Sequence, residues 1–543
     1  MKLTQGLKVE NIRGDIYGGL TAAVVALPLA LAFGVASGAG PMAGLWGAIL
    51  VGFFAAVFGG TPSQISGPTG PMTVAMAVII TKYAHDPAMA FTVVMMGGAL
   101  QIAFGALRLG SYISLVPFTV ISGFMSGIGC IIILLQIAPL LGQATPGGGT
   151  LAVFAALPDM ISGIRPDAAL IGGGALAIVY LTPRPIDHFL PAPLIALLAG
   201  TFAVWVFFPD VVTLGQIPHG LPEMQMPTLT IKALPDMVGS ALILALLGSI
   251  DSLLTSLIAD SITHSHHDSD RELVGQGIGN LIAGLFGALP GAGATMRTVV
   301  NVRAGGRTPV SGVLHAAVLL AVVLGLGPLA EHIPHAVLAG ILLKVGFDII
   351  DWAYIRRLAE APRAGIILMF TVLGLTVFVD LIMAVAVGVV AASLLFVKRM
   401  SDLQLENIRA SDSEHAPVPM SPAEDAALAD VADRVLLYHF SGPVSFGAAK
   451  GLARRVVTGV NHKALILDMT DVTYIDTSAA MAMAEIIVTS TSKGLRVYVV
   501  GLRAPIEKVL VRLGVLDNLS ADQRHATRLA AIEAATRALR HDH

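Results

Sequence analysis

Asp251 and Thr255 stand four residues apart in ALLGSIDSLLTSLIAD, an otherwise apolar run. On a helix that spacing stacks both side chains on one face. A carboxylate and a hydroxyl so placed can bind a cation or exchange a proton, and an ionisable group inside an apolar span is a functional candidate by default. The alternative is that the carboxylate serves as a structural partner for Arg297. Asp260, nearer the end of the run, reads as an interfacial residue. Two other stretches, SGPTGPMTVAMAV from Ser66 and PGAGATMRTVVNV from Pro290, place Gly and Pro ahead of an apolar helical run. A helix start presents unpaired N–H groups and about half a positive charge, and so suits an anion. Such groups are expected around Thr69 to Thr73 and around Ala294 to Arg297. Thr69 and Thr295 are either first-turn donors to the same anion or packing threonines.

The elements that carry these residues belong to a membrane protein. Of 543 residues, 55% are hydrophobic and 13% charged, against about 25% charged in a soluble domain. A net charge of −3 gives no reason to expect nucleic acid as a partner. The single cysteine, Cys130, excludes an intrachain disulfide and reads as a packing residue. No cleavable signal peptide is expected in MKLTQGLKVENIRGD.

From residue 16 to 398 the apolar segments make fourteen elements. Their centres fall near Val25, Ala48, Ala75, Met95, Ala175, Leu198, Leu246, Ala283, Val299, Ala317, Leu338, Thr371 and Gly388, with one long element from Ile113 to Leu141. With a cytoplasmic N-terminus, that count puts Lys2, Lys8, Arg13, Arg108, Arg184, Arg271, Arg303, Arg307, Lys344, Arg356, Arg357, Arg363, Lys398 and Arg399 inside. Only Lys82, Arg165 and Lys232 fall outside, the expected positive-inside bias. The two Gly/Pro-interrupted segments are elements three and ten, seven apart. Irregular backbone survives at membrane depth only where protein buries it or a cavity is lined by it. Matching breaks in two halves point to an inverted repeat around a central site. Asp348, Asp351 and Asp380 read as helix-end residues without a role.

Beyond Met400 the composition turns polar. Residues 401–433 read as a linker and 434–543 as a small α/β domain, leaving 1–400 as the membrane domain. HSHHDSD at His264 reads as a solvated loop rather than a metal site, and TPGGGT near Pro146 as an outside turn.

In order, VVALPLALAFGVASGAGPMAGLW, SGPTGPMTV, PFTVISGFMSGIG, GSIDSLLTSLIAD, GQGIGNLIAGLFGALPGAGATMRTVVN and AGGRT resemble the sulfate permease and anion exchanger (SulP) family. LDMTDVTYIDTSAAMAM resembles a STAS domain. Within the family, NIRGDIYGGLTAAV, FTVVMM, GQATPGGG and KVGFDIIDW look most like the BicA-type sodium-dependent bicarbonate transporters. The resemblance implies an α-helical polytopic protein of fourteen elements in a seven-plus-seven inverted repeat. A core domain would move against a gate domain in an elevator-like cycle. It further implies a homodimer in the cell's inner (plasma) membrane, with the N-terminus and STAS domain cytoplasmic.

By the same resemblance, Thr69, Gly293, Ala294 and Thr295 would hold bicarbonate through hydroxyls and half-helix amides. Asp251, Thr255, Gly293 and Thr295 would hold sodium as a co-substrate; no other cofactor is expected. Phe33 matches an aromatic position lining the pocket, and core packing is the equal alternative. Arg297 departs from the BicA-type pattern, which has a small residue there; many other family members carry arginine and use it to attract the anion. If Arg297 points inward, sodium becomes less necessary. If it points to the mouth beside Arg303 and Arg307, it is a rim charge.

The expected function is secondary active transport of bicarbonate or a related small inorganic anion, with sodium. Proton-coupled or exchange transport of sulfate or a dicarboxylate is the alternative. A nucleobase carrier would call for a carboxylate against the base, and no Glu lies near either half-helix start in the sequence. A non-transporting sensor signalling through the STAS domain is a further class. The Asp476-Thr477-Ser478-Ala479 loop of that domain reads as a helix N-cap. No nucleophile and base set marks an enzyme.

Overall fold

The computed structural model describes residues 11–113, 117–146, 149–183, 185–186, 190–215, 221–379, 381–406, 408–410, 420–429, 431, 434–446 and 462–541. Lys2, Lys8, Arg184, Asp380 and the middle of the expected linker lie outside them. The chain divides into two compact units, Met1–Val389 and Val390–His543.

The first unit is helical. Each of the thirteen expected centres falls inside a helix. Among the described residues, six helices are long and apolar enough to cross a membrane singly. The stretch expected as one long element is a single helix, Phe118–Leu140. Among the described residues, the longest helix of this unit that was not anticipated is Gly149–Ser162, which carries Pro158. With Pro166–Leu181 it makes a pair bent by 116°.

Glycine lets two helices of this unit approach closely. A Cβ on Gly98 would stand 2.6 Å from the Gly277 carbonyl, and one on Gly277 equally close to that of Gly98. Only glycine lets Pro87–Ala106 and Ser269–Leu285 meet backbone to backbone. Asp15, buried on Ile12–Ala36, accepts from the Arg307 N–H (2.8 Å), the Thr308 N–H (3.0 Å) and the Thr308 hydroxyl (2.7 Å). One carboxylate thus fixes the turn that follows the second half-helix.

The second unit holds a five-stranded sheet in the order β3 (Ile408–Ala410), β4 (Val435–Val444), β5 (Ala464–Ile475), β6 (Arg496–Val500), β7 (Arg524–His525). β3 pairs antiparallel to β4, and the other pairs are parallel. Residues Val435 to Phe440 and Ala464 to Met469 are buried in unbroken runs, as in strands covered on both faces. Helices Thr477–Ser492 and Ala504–Arg512 cover one face, Pro422–Leu428 and Arg528–His541 the other.

This corrects the expected linker. Within 401–433, β3 joins the sheet and Leu428 joins the core. A capping box of Ser421 and Glu424 starts the helix there. Asp476 does cap its helix, accepting from the Ala479 N–H at 2.8 Å.

Candidate functional site

The two Gly/Pro stretches meet. β1 (Ser66–Gly67) and β2 (Ala292–Gly293) pair antiparallel, with Ser66 opposite Gly293 and Gly67 opposite Ala292. Each strand leads into a half-helix, Gly70–Lys82 with Thr69 at its N-cap and Thr295–Arg303 with Ala294 at its N-cap. Backbone bonding inside these helices starts only at Thr73 N–H to Thr69 O (2.9 Å) and Thr298 N–H to Ala294 O (2.8 Å). The Gly70 and Met72 amides, and those of Thr295, Met296 and Arg297, therefore have no acceptor in their own helix; Pro71 has no N–H to offer.

Two expected donors are engaged elsewhere. The Gly293 N–H donates to Ser252 Oγ (3.0 Å) and the Ala294 N–H to Ile65 O (2.8 Å). These bonds hold the crossing together, so the amides open to a guest in the second half-helix begin at Thr295.

Asp251 and Thr255 lie on Leu234–Thr263. Thr255 is fully buried and its hydroxyl donates to Gly293 O at 3.0 Å. A second bond of 2.8 Å joins it to Thr295 Oγ1. A hydroxyl has one proton, so with that of Thr255 on Gly293 the Thr295 proton fills the shared bond. The Thr295 hydroxyl is then an acceptor toward any guest, not the donor expected. Asp251 stands beside Thr69 and Arg297. Its Oδ2, like Thr69 Oγ1, is buried without a hydrogen-bond partner. Asp251 also lines a cavity of about 20 Å³ with Pro71, Phe124, Leu247, Leu254 and Val385, room for one water-sized guest.

Arg297 is 2% exposed, whereas Arg303 and Arg307 are exposed. The rim placement is thereby excluded. Its Nη2 donates to Pro68 O, next to Thr69, and its Nη1 is buried without a partner. Two helix starts supply about +1, Arg297 +1 and Asp251 −1, a sum of about +1. That charge fits one monoanion. Phe33 is 3% exposed among the core side chains.

A glutamate does lie by the crossing, against the expectation. Glu272 is 1% exposed and accepts from Gly60 N–H (2.9 Å), Thr61 N–H (2.9 Å), Gln64 Nε2 (2.7 Å) and Gln276 Nε2 (2.8 Å). Those bonds turn it toward the chain rather than toward a guest. The signal was Glu272, Gln276 and Asn280, a polar stripe at four-residue spacing in RELVGQGIGN. His315, fully buried with both ring nitrogens unpartnered, was also missed.

Asp260, Asp348 and Asp351 are each engaged by a neighbour. Asp260 pairs with His267 (Oδ2 to Nδ1, 2.7 Å), so the HSHHDSD loop is pinned rather than freely solvated. Among the described residues no three His, Cys, Asp or Glu side chains are placed to hold a metal. Asp348 pairs with Lys344, and Asp351 caps Trp352–Ile355.

Comparison with known proteins places this arrangement. Residues 12–372 match the sulfate permease family and residues 426–528 the STAS domain. The chain is 46% identical to the bicarbonate transporter BicA of Picosynechococcus over 98% of its own length and 96% of that protein. The solved transmembrane domain of a cyanobacterial bicarbonate transporter BicA covers 71% of this chain and is itself covered in full, at 53% identity and a TM-score of 0.68. The murine Solute Carrier 26 family member A9 anion transporter shares the fold, with a TM-score of 0.83 at 18% identity over 98% of this chain and 93% of that one. The chain belongs to the sulfate permease family, as a multi-pass membrane transporter of anions, not an enzyme, with a C-terminal STAS domain.

Proposed function

We propose that the protein carries bicarbonate, or a small inorganic anion of the same charge, by secondary active transport. The observation that supports this most is the antiparallel pairing of Ser66 with Gly293, which sets two half-helix starts face to face with Arg297 buried beside them. The open amides of Gly70, Met72, Thr295 and Met296 and the Thr69 hydroxyl are the donors. The full-length likeness to a bicarbonate transporter supports the choice of anion. The site would pass from one side to the other by elevator-like movement of a core against a gate, within a seven-plus-seven inverted repeat. The working form would be a homodimer in the plasma membrane, with the N-terminus and STAS domain in the cytoplasm.

Sodium is the first coupling ion to test. Asp251 and Thr255, with the Gly293 carbonyl and the Thr295 hydroxyl, would hold it. The burial of Arg297 favours a second reading. A site already near +1 takes a monoanion without a cation, and a dianion such as sulfate with one added proton or sodium. Exchange or proton coupling then replaces sodium symport.

The deciding experiment is radiolabelled uptake by the purified protein in vesicles, over a panel of anions, with sodium and pH varied independently. Saturable bicarbonate uptake supports the proposal, and its sodium dependence separates the two readings. Absence of flux for every anion would leave the sensor reading.

A further inference from the structure

We propose that Glu272 is the positioning residue of the anion site, acting through Gln64 and Gln276. This inference rests on the transport reading above. Its carboxylate gathers four donors from two regions of the chain: the approach to the first half-helix (Gly60, Thr61, Gln64) and its own helix (Gln276). Both amide side chains pass the constraint onward. Gln276 Nε2 also donates to Ser66 Oγ at 2.5 Å, which fixes β1. Gln64 Oε1 lies 3.0 Å from Ser256 Oγ, sharing its proton with Ser252 O at 2.9 Å, which ties it to the helix bearing Asp251 and Thr255. Ser256 Oγ reaches Thr61 Oγ1 as well, at 2.7 Å.

The second strand is held by the same group. A Cβ on Gly293 would stand 2.5 Å from Gln64 Nε2 and 3.0 Å from Thr255 Cβ, so Gly293 packs directly on Gln64 and Thr255. Ser252, one turn from Ser256, accepts the Gly293 N–H. One buried carboxylate therefore sets where β1, β2 and the Asp251 helix stand relative to one another. It touches none of the open amides itself. A carboxylate is the acceptor this task needs, because it takes four donors at once while a neutral amide offers a single acceptor oxygen.

The arrangement keeps the two half-helix starts at a fixed separation. Loss of one strand of the network should loosen anion recognition before it affects movement of the carrier. The test is uptake in vesicles by Glu272→Gln, Gln276→Met and Gln64→Met, with KM and maximal rate measured separately and folding checked by melting of the purified protein. The latter two variants each leave three of the four donors to Glu272 in place, so they keep the test open if Glu272→Gln does not fold.

The expected result is a rise in anion KM of about tenfold, the size of one weakened hydrogen bond, with maximal rate held within about threefold. A purely structural group would lower the amount of active protein, and so the maximal rate, at unchanged KM. Folded variants with the wild-type KM and wild-type preference among anions overturn the proposal. Wild-type protein with no saturable flux would instead overturn the transport reading on which it rests.

Discussion

Thr255 donates its hydroxyl proton to the Gly293 carbonyl across 3.0 Å, bridging the Asp251 helix and the strand that feeds the second half-helix. Both groups are buried. Thr255→Val keeps the shape and removes the hydroxyl. It leaves the Gly293 carbonyl and the Thr295 hydroxyl without this partner, at a cost of about 1–3 kcal/mol. A lower melting temperature and a raised anion KM are expected, with Thr255→Ser restoring both. A variant that melts and transports like wild type would show that the bridge is idle.

One carboxylate oxygen of Asp251 is buried without a hydrogen-bond partner, and Asp251 lines a small cavity. In the proposed mechanism it is the group that meets the coupling cation. Asp251→Asn should keep the shape and abolish the response of uptake to sodium or to a pH gradient. Uptake that stays fully coupled in the mutant would reduce Asp251 to a structural role.

Arg297 changes the charge balance that sets the need for a cation. With it, the site is near +1; without it, near neutral. Arg297→Gly should therefore make uptake more dependent on sodium. The check is initial uptake rate with and without sodium in both forms. An identical sodium response in the two would remove Arg297 from the coupling mechanism.

How much of this was readable in advance follows from how local each cause is. Glycine and proline ahead of an apolar run are local signals, and so is an aspartate inside one; Thr69, Asp251 and Thr255 are candidates on those grounds, and Arg297 by its place in the second half-helix and by the family resemblance. The partners that engage the Gly293 and Ala294 amides, Ser252 and Ile65, come from distant parts of the chain. Glu272 meets Gly60 and Thr61 across more than two hundred residues. No local pattern announces such bonds. Helix Gly149–Ser162 was hidden by Pro158 in its second half. In the linker the Ser421 and Glu424 capping box was legible, but acidic composition masked it.

Gly291 shows how tightly the crossing is built. A Cβ there would fall 2.4 Å from the Gly67 carbonyl carbon and 2.5 Å from its oxygen, both backbone atoms. They cannot yield without separating β1 from β2. Gly291→Ala should abolish uptake. On helix Pro166–Leu181, a Cβ at Gly173 would meet nothing within 4 Å. Gly173→Ala should leave uptake and melting unchanged. Transport by the Gly291 variant would mean that the strand pairing is dispensable.

Asp468, in the STAS domain, links stability to pH. Burial alone would raise its pKa. Hydrogen bonds from His439 and Thr470 and the nearby Arg528 guanidinium outweigh burial and hold it down to about 2, below the ordinary 3.8. His439 Nδ1 and Arg528 Nε each lie 2.8 Å from Oδ2. A carboxylate depressed in the folded state stabilises fully above its unfolded pKa, and that contribution fades as pH falls toward the folded one. The window is therefore pH 4 down to 2, and the loss is about 2 kcal/mol. Hydrogen exchange of Val435–Val444 and Ala464–Ile475 in the full-length protein, corrected for the intrinsic rate, reads it. Protection should fall across that window in the wild type. Asp468→Asn should start lower at neutral pH and lose less on acidification. Equal slopes in the two proteins would assign the acid sensitivity to other groups.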